Sequence, residues 1–175
     1  MRILFIHQNF PGQYLHIVQR LAQIGSHQLV ALGINPLDRS RQLPDSLQHF
    51  RYRLDRGNAK DVHPLVMETE TKVIRAEGCA RAAKKLKDKG FTPDLICAHP
   101  GWGESLFLKT IWPNSPLLCY QEFFYKEQGF DSNFDPEFQD ELNWQSQARL
   151  MMKNAYLHLT LEQADWNISP THFQA

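Results

Sequence analysis

The segment Met1-Arg2-Ile3-Leu4-Phe5-Ile6-His7-Gln8-Asn9-Phe10-Pro11-Gly12-Gln13 decides the fold of this chain. Ile3 to Ile6 is a continuous apolar run of strand length, as expected for a strand buried on both faces of a parallel sheet. A polar Pro-Gly stretch follows, and beyond it Tyr14, Ile17, Val18, Leu21 and Ala22 recur at helical spacing. Gly25 stops that helix, and residues 28–32 form a second apolar run. Strand, loop, helix, strand is the unit of a parallel sheet, because parallel neighbours need a crossover.

The rest of the chain repeats the pattern. Residues 50–54 alternate and read as a third strand with one wetter face. Pro36 and Pro44 mark residues 35–46 as a loop, and residues 56–64 are similar. A helix is expected over residues 69–89, with Val73, Ala76, Ala80, Ala83 and Leu86 on its buried side. Gly90 and Pro93 end it before a strand at residues 94–98. A short helix over residues 106–112 leads to a strand at residues 117–120. Asp135-Pro136-Glu137 reads as a helix start. From it a long helix runs to Ala164 with Phe138, Leu142, Gln145, Ala148, Met152, Ala155 and Leu159 on one face. Trp166-Asn167-Ile168-Ser169 closes the series as a short strand. The expected fold is a doubly wound, mostly parallel Rossmann-like α/β sheet with helices on both faces, one domain over residues 1–175.

Composition narrows the function. Lys plus Arg number 19 and Asp plus Glu 19, so no whole-molecule field points to nucleic acid. No apolar run approaches the roughly 20 residues of a bilayer span, and the opening strand lacks a signal-peptide cleavage site. Cys79, Cys97 and Cys119 are odd in number and widely spaced, so neither a disulfide framework nor a zinc site is expected. The chain reads as cytoplasmic and without a metal.

Ligands of such sheets bind outside the carboxyl ends of the strands, and three strand-end loops carry unusual chemistry. In the first, Asn9, Pro11, Gly12 and Gln13 precede a helix whose free amides suit an anion, yet Pro11-Gly12 equally serves as a plain turn. The G-x-G-x-x-G fingerprint of dinucleotide sites is absent. The second, His99-Pro100-Gly101-Trp102-Gly103-Glu104, places a histidine at a buried strand end and an acid near the next helix start. Trp102 there stacks on a sugar or caps the core. In the third, Tyr120-Gln121-Glu122-Phe123-Phe124-Tyr125, Glu122 needs a partner or solvent, and the aromatic run forms a ligand wall or a covering flap.

Taken with Ser169-Pro170-Thr171-His172-Phe173-Gln174, these motifs resemble the N-terminal domain of glycosyltransferase family 4, over Met1 to Ala175. The resemblance implies the GT-B architecture, two Rossmann-like domains across a cleft. It implies transfer of a sugar from a nucleotide-sugar donor to an acceptor with retention, without a metal and with no cofactor beyond the co-substrate. The N-terminal domain then receives the acceptor, and a C-terminal nucleotide-sugar domain, not within these residues, acts in cis. By position, Asn9, Pro11, Gly12 and Gln13 match the loop near donor phosphates and acceptor. His99 matches a polar group beside the transferred sugar, and Glu122 a polar strand-end residue in the cleft. His99 and Glu122 are thus the expected catalytic pair, with Gly101, Trp102, Gly103 and Glu104 lining the cleft. The family often pairs two glycines in the first loop, whereas only Gly12 stands here. These residues alone are expected to have little or no transferase activity.

A non-catalytic flavodoxin-like or receiver-like module is the competing expectation. It would need a Ser/Thr-rich phosphate loop or an acidic cluster near the first strand, and Gln8-Asn9-Phe10 supplies neither. Lys72, Arg75, Arg81, Lys84, Lys85, Lys87 and Lys89 give the central helix a basic character that suits weak peripheral membrane contact. Glu70, Glu77 and Asp88 interrupt it, which suits a solvated face better.

Overall fold

The computed structural model describes residues 1–127, 135, 137 and 143–172. Six strands, β1 (Arg2–Ile6), β2 (Gln28–Gly33), β3 (Gln48–Arg51), β4 (Leu95–Ala98), β5 (Leu117–Tyr120) and β6 (Trp166–Ile168), form one sheet. Its order is β3-β2-β1-β4-β5-β6, and every pairing is parallel. The helices are α1 (Leu15–Ile24), α2 (Met67–Asp88), α3 (Leu108–Ile111) and α4 (Trp144–Gln163). This is the doubly wound Rossmann-like order that the sequence pattern predicts.

The alternation of strand side chains builds two layers. Ile3 and Phe5 of β1 pack with Leu29 and Ala31 against Val18 of α1. Leu4 and Ile6 point the other way, with Val30, Leu32, Ile96 and Leu117, onto Cys79, Ala83 and Leu86 of α2 and Leu108 of α3. Gly25 ends α1 in the left-handed conformation, donating its amide to Ala22. α4 does not touch the sheet through its main cluster. Its Tyr156 and Leu157 pack on Ala76 of α2 and on Leu106.

Two helical faces differ from expectation. On α2, Val73 is exposed, and the buried residues are Ile74, Ala76, Gly78, Cys79, Ala83 and Leu86. The helix is covered on two sides, by the sheet and by α4, so a single stripe does not describe it. On α4, Leu159 is exposed, while Asn154, Tyr156, Leu157 and Thr160 are buried. α4 starts at Asn143, whose side chain accepts from the Ser146 amide while the Ser146 hydroxyl accepts from the Asn143 amide, a reciprocal cap. Pro136, Phe138 and Leu142 of the predicted helix start lie outside the described residues. Residues 104–107 form a 3-10 turn ahead of a shorter α3, and β3 starts and ends earlier than expected.

Candidate active site

The strand order reverses between β1 and β4, and a crevice opens at the carboxyl ends of strands flanking such a point. Both of those strands run directly into a histidine. His7 follows β1 and His99 follows β4, and their ring centroids are 5.3 Å apart. A cavity of about 500 Å³ opens over them, within the range typical of ligand sites. It is lined from the first loop by Asn9, Phe10, Pro11, Gly12 and Gln13, from β4 and β5 by His99, Trp102, Glu122 and Phe123, and from the β2–β3 connection by Asn35, Pro36, Asp38 and Arg41.

Glu122 is the hub. One carboxylate oxygen accepts from Gln13 Nε2 at 2.8 Å, and the other lies 2.9 Å from His99 Nε2. Partial burial works to raise this carboxyl, but the hydrogen bonds from Gln13 and His99 prevail and hold it below the usual range. Glu122 is therefore an ionised, oriented carboxylate at the edge of the cavity. His99 donates to it through Nε2, and His99 Nδ1 is buried without a partner among the described residues. The His99 ring faces the cavity, but its nitrogens are respectively engaged and covered.

His7 is 6% exposed, and its Nδ1 accepts from the Asn9 amide at 3.0 Å, which leaves the proton on Nε2. Burial first, then the neighbouring His99, lowers its pKa to about 4, so the ring is neutral at physiological pH. Gly12 sits directly against that ring. Its φ is +48°, and an added Cβ would lie 2.5 Å from His7 Cε1 and Nε2. The glycine is thus required both by its left-handed backbone and by the histidine beneath it.

The second loop divides into two parts. Trp102 lines the cavity, 36% exposed. Gly101, Gly103 and Glu104 do not line it. Glu104 is fully buried, accepts from the Tyr52 hydroxyl at 2.6 Å, and has its other oxygen unpartnered among the described residues. Burial raises its pKa above the usual carboxylate value. Gly101 offers its carbonyl to Lys72 Nζ and to the Tyr156 hydroxyl, each at 2.9 Å. Gly103, at φ +96°, packs so closely on the Lys72 backbone that a Cβ would lie 2.6 Å from its carbonyl oxygen. These residues hold the loop that carries Trp102 and His99. The third loop is anchored farther along. Asn154 of α4 clamps the backbone of Tyr125, accepting from its amide at 3.0 Å and donating to its carbonyl at 2.7 Å.

Of the residues expected from the sequence, the structure brings Asn9, Pro11, Gly12, Gln13, His99, Trp102 and Glu122 to one cavity. Sequence reasoning missed His7 and the Asn35–Arg41 wall. His7 had a visible signal, since it ends a buried strand as His99 does. Among the described residues no cluster of His, Cys, Asp and Glu could hold a metal ion.

The fold is a doubly wound Rossmann-like α/β domain with a polar, carboxylate-centred candidate crevice at its switch point. The comparisons then give the lineage: the chain belongs to the glycosyl transferase family 4 group, whose model matches residues 25–175. No curated protein sequence matches it. Among solved structures, apo UGT2 of Phytolacca americana is similar at TM-score 0.56 and 13% identity, over 97% of this chain and 45% of that one. TcCGT1 in complex with UDP gives TM-score 0.56 and 10% identity, over 97% and 44%. UDP-GlcNAc 2-epimerase from Neisseria meningitidis bound to UDP-GlcNAc gives TM-score 0.51 and 11% identity, over 99% and 41%. At these identities the likeness speaks for the fold, and the chain spans less than half the length of each of these structures.

Proposed function

We propose that this chain is the acceptor-side domain of a retaining glycosyltransferase that draws sugar from a nucleotide-sugar donor. The observation that carries this reading is the Gln13–Glu122–His99 arrangement, an ionised carboxylate presented to a cavity in a chain of this family. A second domain, following in cis with the GT-B arrangement, would bind the nucleotide. The reaction needs no metal and no cofactor in this reading, and it takes place in the cytoplasm.

In the transfer, an acceptor hydroxyl oxygen bonds to the anomeric carbon as the bond from that carbon to the diphosphate oxygen breaks. The hydroxyl proton passes to the departing diphosphate, so no separate base is required. Glu122 is the catalytic residue of this domain, accepting a hydrogen bond from a substrate hydroxyl with its remaining lone pairs. His99 and Gln13 are positioning residues that keep both oxygens aimed and charged. The Asn9 to Gln13 loop forms the wall beside the departing diphosphate.

The test compares residues 1–175 with the gene product that contains them together with a nucleotide-binding domain, each given UDP- and GDP-sugars. Release of nucleoside diphosphate is expected from the two-domain protein and not from residues 1–175. Turnover by residues 1–175 alone would overturn the two-domain reading.

A further inference from the structure

We propose that the outer end of the cavity, at Asn35, Asp38 and Arg41, is a subsite for a neutral oligosaccharide acceptor, so that more than one sugar ring is held. The inference rests on the transferase reading and names the acceptor class for it. Its first ground is length. The lining comes from the ends of β2, β1, β4 and β5, four strands adjacent in the sheet. Three interstrand steps of about 4.8 Å spread the strand ends that supply the lining over about 14 Å, farther than one pyranose ring reaches. Glu122 follows β5 and Asp38 follows β2, the two outer strands of these four.

The second ground is chemistry. Sugar rings present hydroxyls at their edges and C–H groups on their faces. The edges call for side-chain amides and carboxylates, which Asn9, Gln13, Asn35 and Asp38 supply along the cavity. The faces call for exposed aromatic rings, and Trp102 and Phe123 remain 36% and 46% exposed while lining the same space. The polar groups are already held in place. Asn35 donates to the Asn9 side chain, and Asp38 takes the Ser40 amide and the Arg41 guanidinium. Little ordering is then left for binding to impose.

The third ground is charge. The described lining carries two carboxylates, Asp38 and Glu122; Arg41 is paired to Asp38, and His99 Nε2 lies against Glu122. Two carboxylates along the lining disfavour an acidic glycan at this end of the cavity. The remaining donor and acceptor capacity of these amides and carboxylates suits ring hydroxyls better than an apolar aglycone, which offers them nothing.

The experiment measures binding of the chain to an array of neutral glycans by saturation-transfer NMR and calorimetry. Glucose, mannose, galactose and N-acetylglucosamine, UDP, an acidic glycan set and a simple phenol form the other arms. At least one neutral glycan of two or more rings should bind tenfold or more tightly than its terminal monosaccharide. That advantage should fall toward unity in Asn35→Ala and in Asp38→Asn, which keeps the Asp38 shape and so separates lost recognition from misfolding. Equal affinity for mono- and oligosaccharide, absence of glycan binding, or tighter binding of UDP, phenol or acidic glycans would overturn it. Donor turnover in the two-domain protein distinguishes the two failures. Turnover without an oligosaccharide advantage rejects the subsite alone, whereas absent turnover rejects the transferase reading.

Discussion

Gly12 illustrates how one residue answers to two neighbours. Its left-handed φ and the His7 ring beneath it both exclude a side chain. Gly12→Ala should therefore cost about 1–3 kcal/mol in urea unfolding, and a cost below the error of the fit would remove the close-packing account. It follows that lost activity in a Gly12 variant reports displacement of His7 as much as any contact with phosphate. His7 makes its own prediction. Its folded pKa of about 4 lies below the roughly 6.5 of an unfolded histidine. Between those values the unfolded chain binds a proton that the folded one refuses, so stability falls as pH drops from about 6.5 toward 4. The contribution is on the order of 3 kcal/mol. Comparing unfolding of the parent and His7→Gln across that window should show the parent losing more. Parallel curves would contradict it. The comparison with a variant matters because Glu104, raised rather than lowered, contributes with the opposite sign.

At the scale of elements, what the sequence reveals depends on how many sides an element buries. β1, β2, β4 and β5 are covered strands, and their apolar runs are plain in the sequence. α2 and α4 are covered on more than one side or by one another, so their buried residues do not follow the stripe that spacing suggests. The α4 cap is local chemistry. Asn143→Ala should cost about 1 kcal/mol, read by thermal or urea unfolding, and an unchanged midpoint would show that the cap is dispensable. The basic face of α2 is largely satisfied within the chain. Arg81 pairs with Asp55 and Glu77, Lys84 with Asp88, and Lys72 and Lys87 hydrogen-bond to carbonyls. Pelleting with anionic liposomes should accordingly show no salt-sensitive binding. Salt-sensitive recovery with the vesicles would restore a peripheral membrane role.

Across the whole molecule, the alternation of strands and helices was enough to reach the parallel doubly wound order. The meeting of Gln13, His99 and Glu122 was readable as three separate strand-end motifs, because that sheet brings strand ends together. The pairing itself was not readable. Nothing in the spacing says that His99 spends its Nε2 on Glu122, or that Glu104 turns inward to Tyr52 while Trp102 turns outward. Those choices come from packing between segments far apart in the chain. The Asn35–Arg41 wall was hidden for a similar reason: it lies in a proline-bearing connection with no periodic pattern to mark it.

The central claim is that Glu122, held by His99 and Gln13, is the group through which this domain acts on substrate. The most direct measurement is the rate of nucleoside diphosphate release by the proposed two-domain protein carrying Glu122→Gln, with its thermal midpoint recorded alongside. The account predicts a fall of about 100-fold or more at a nearly unchanged midpoint. A rate equal to that of the parent would contradict it.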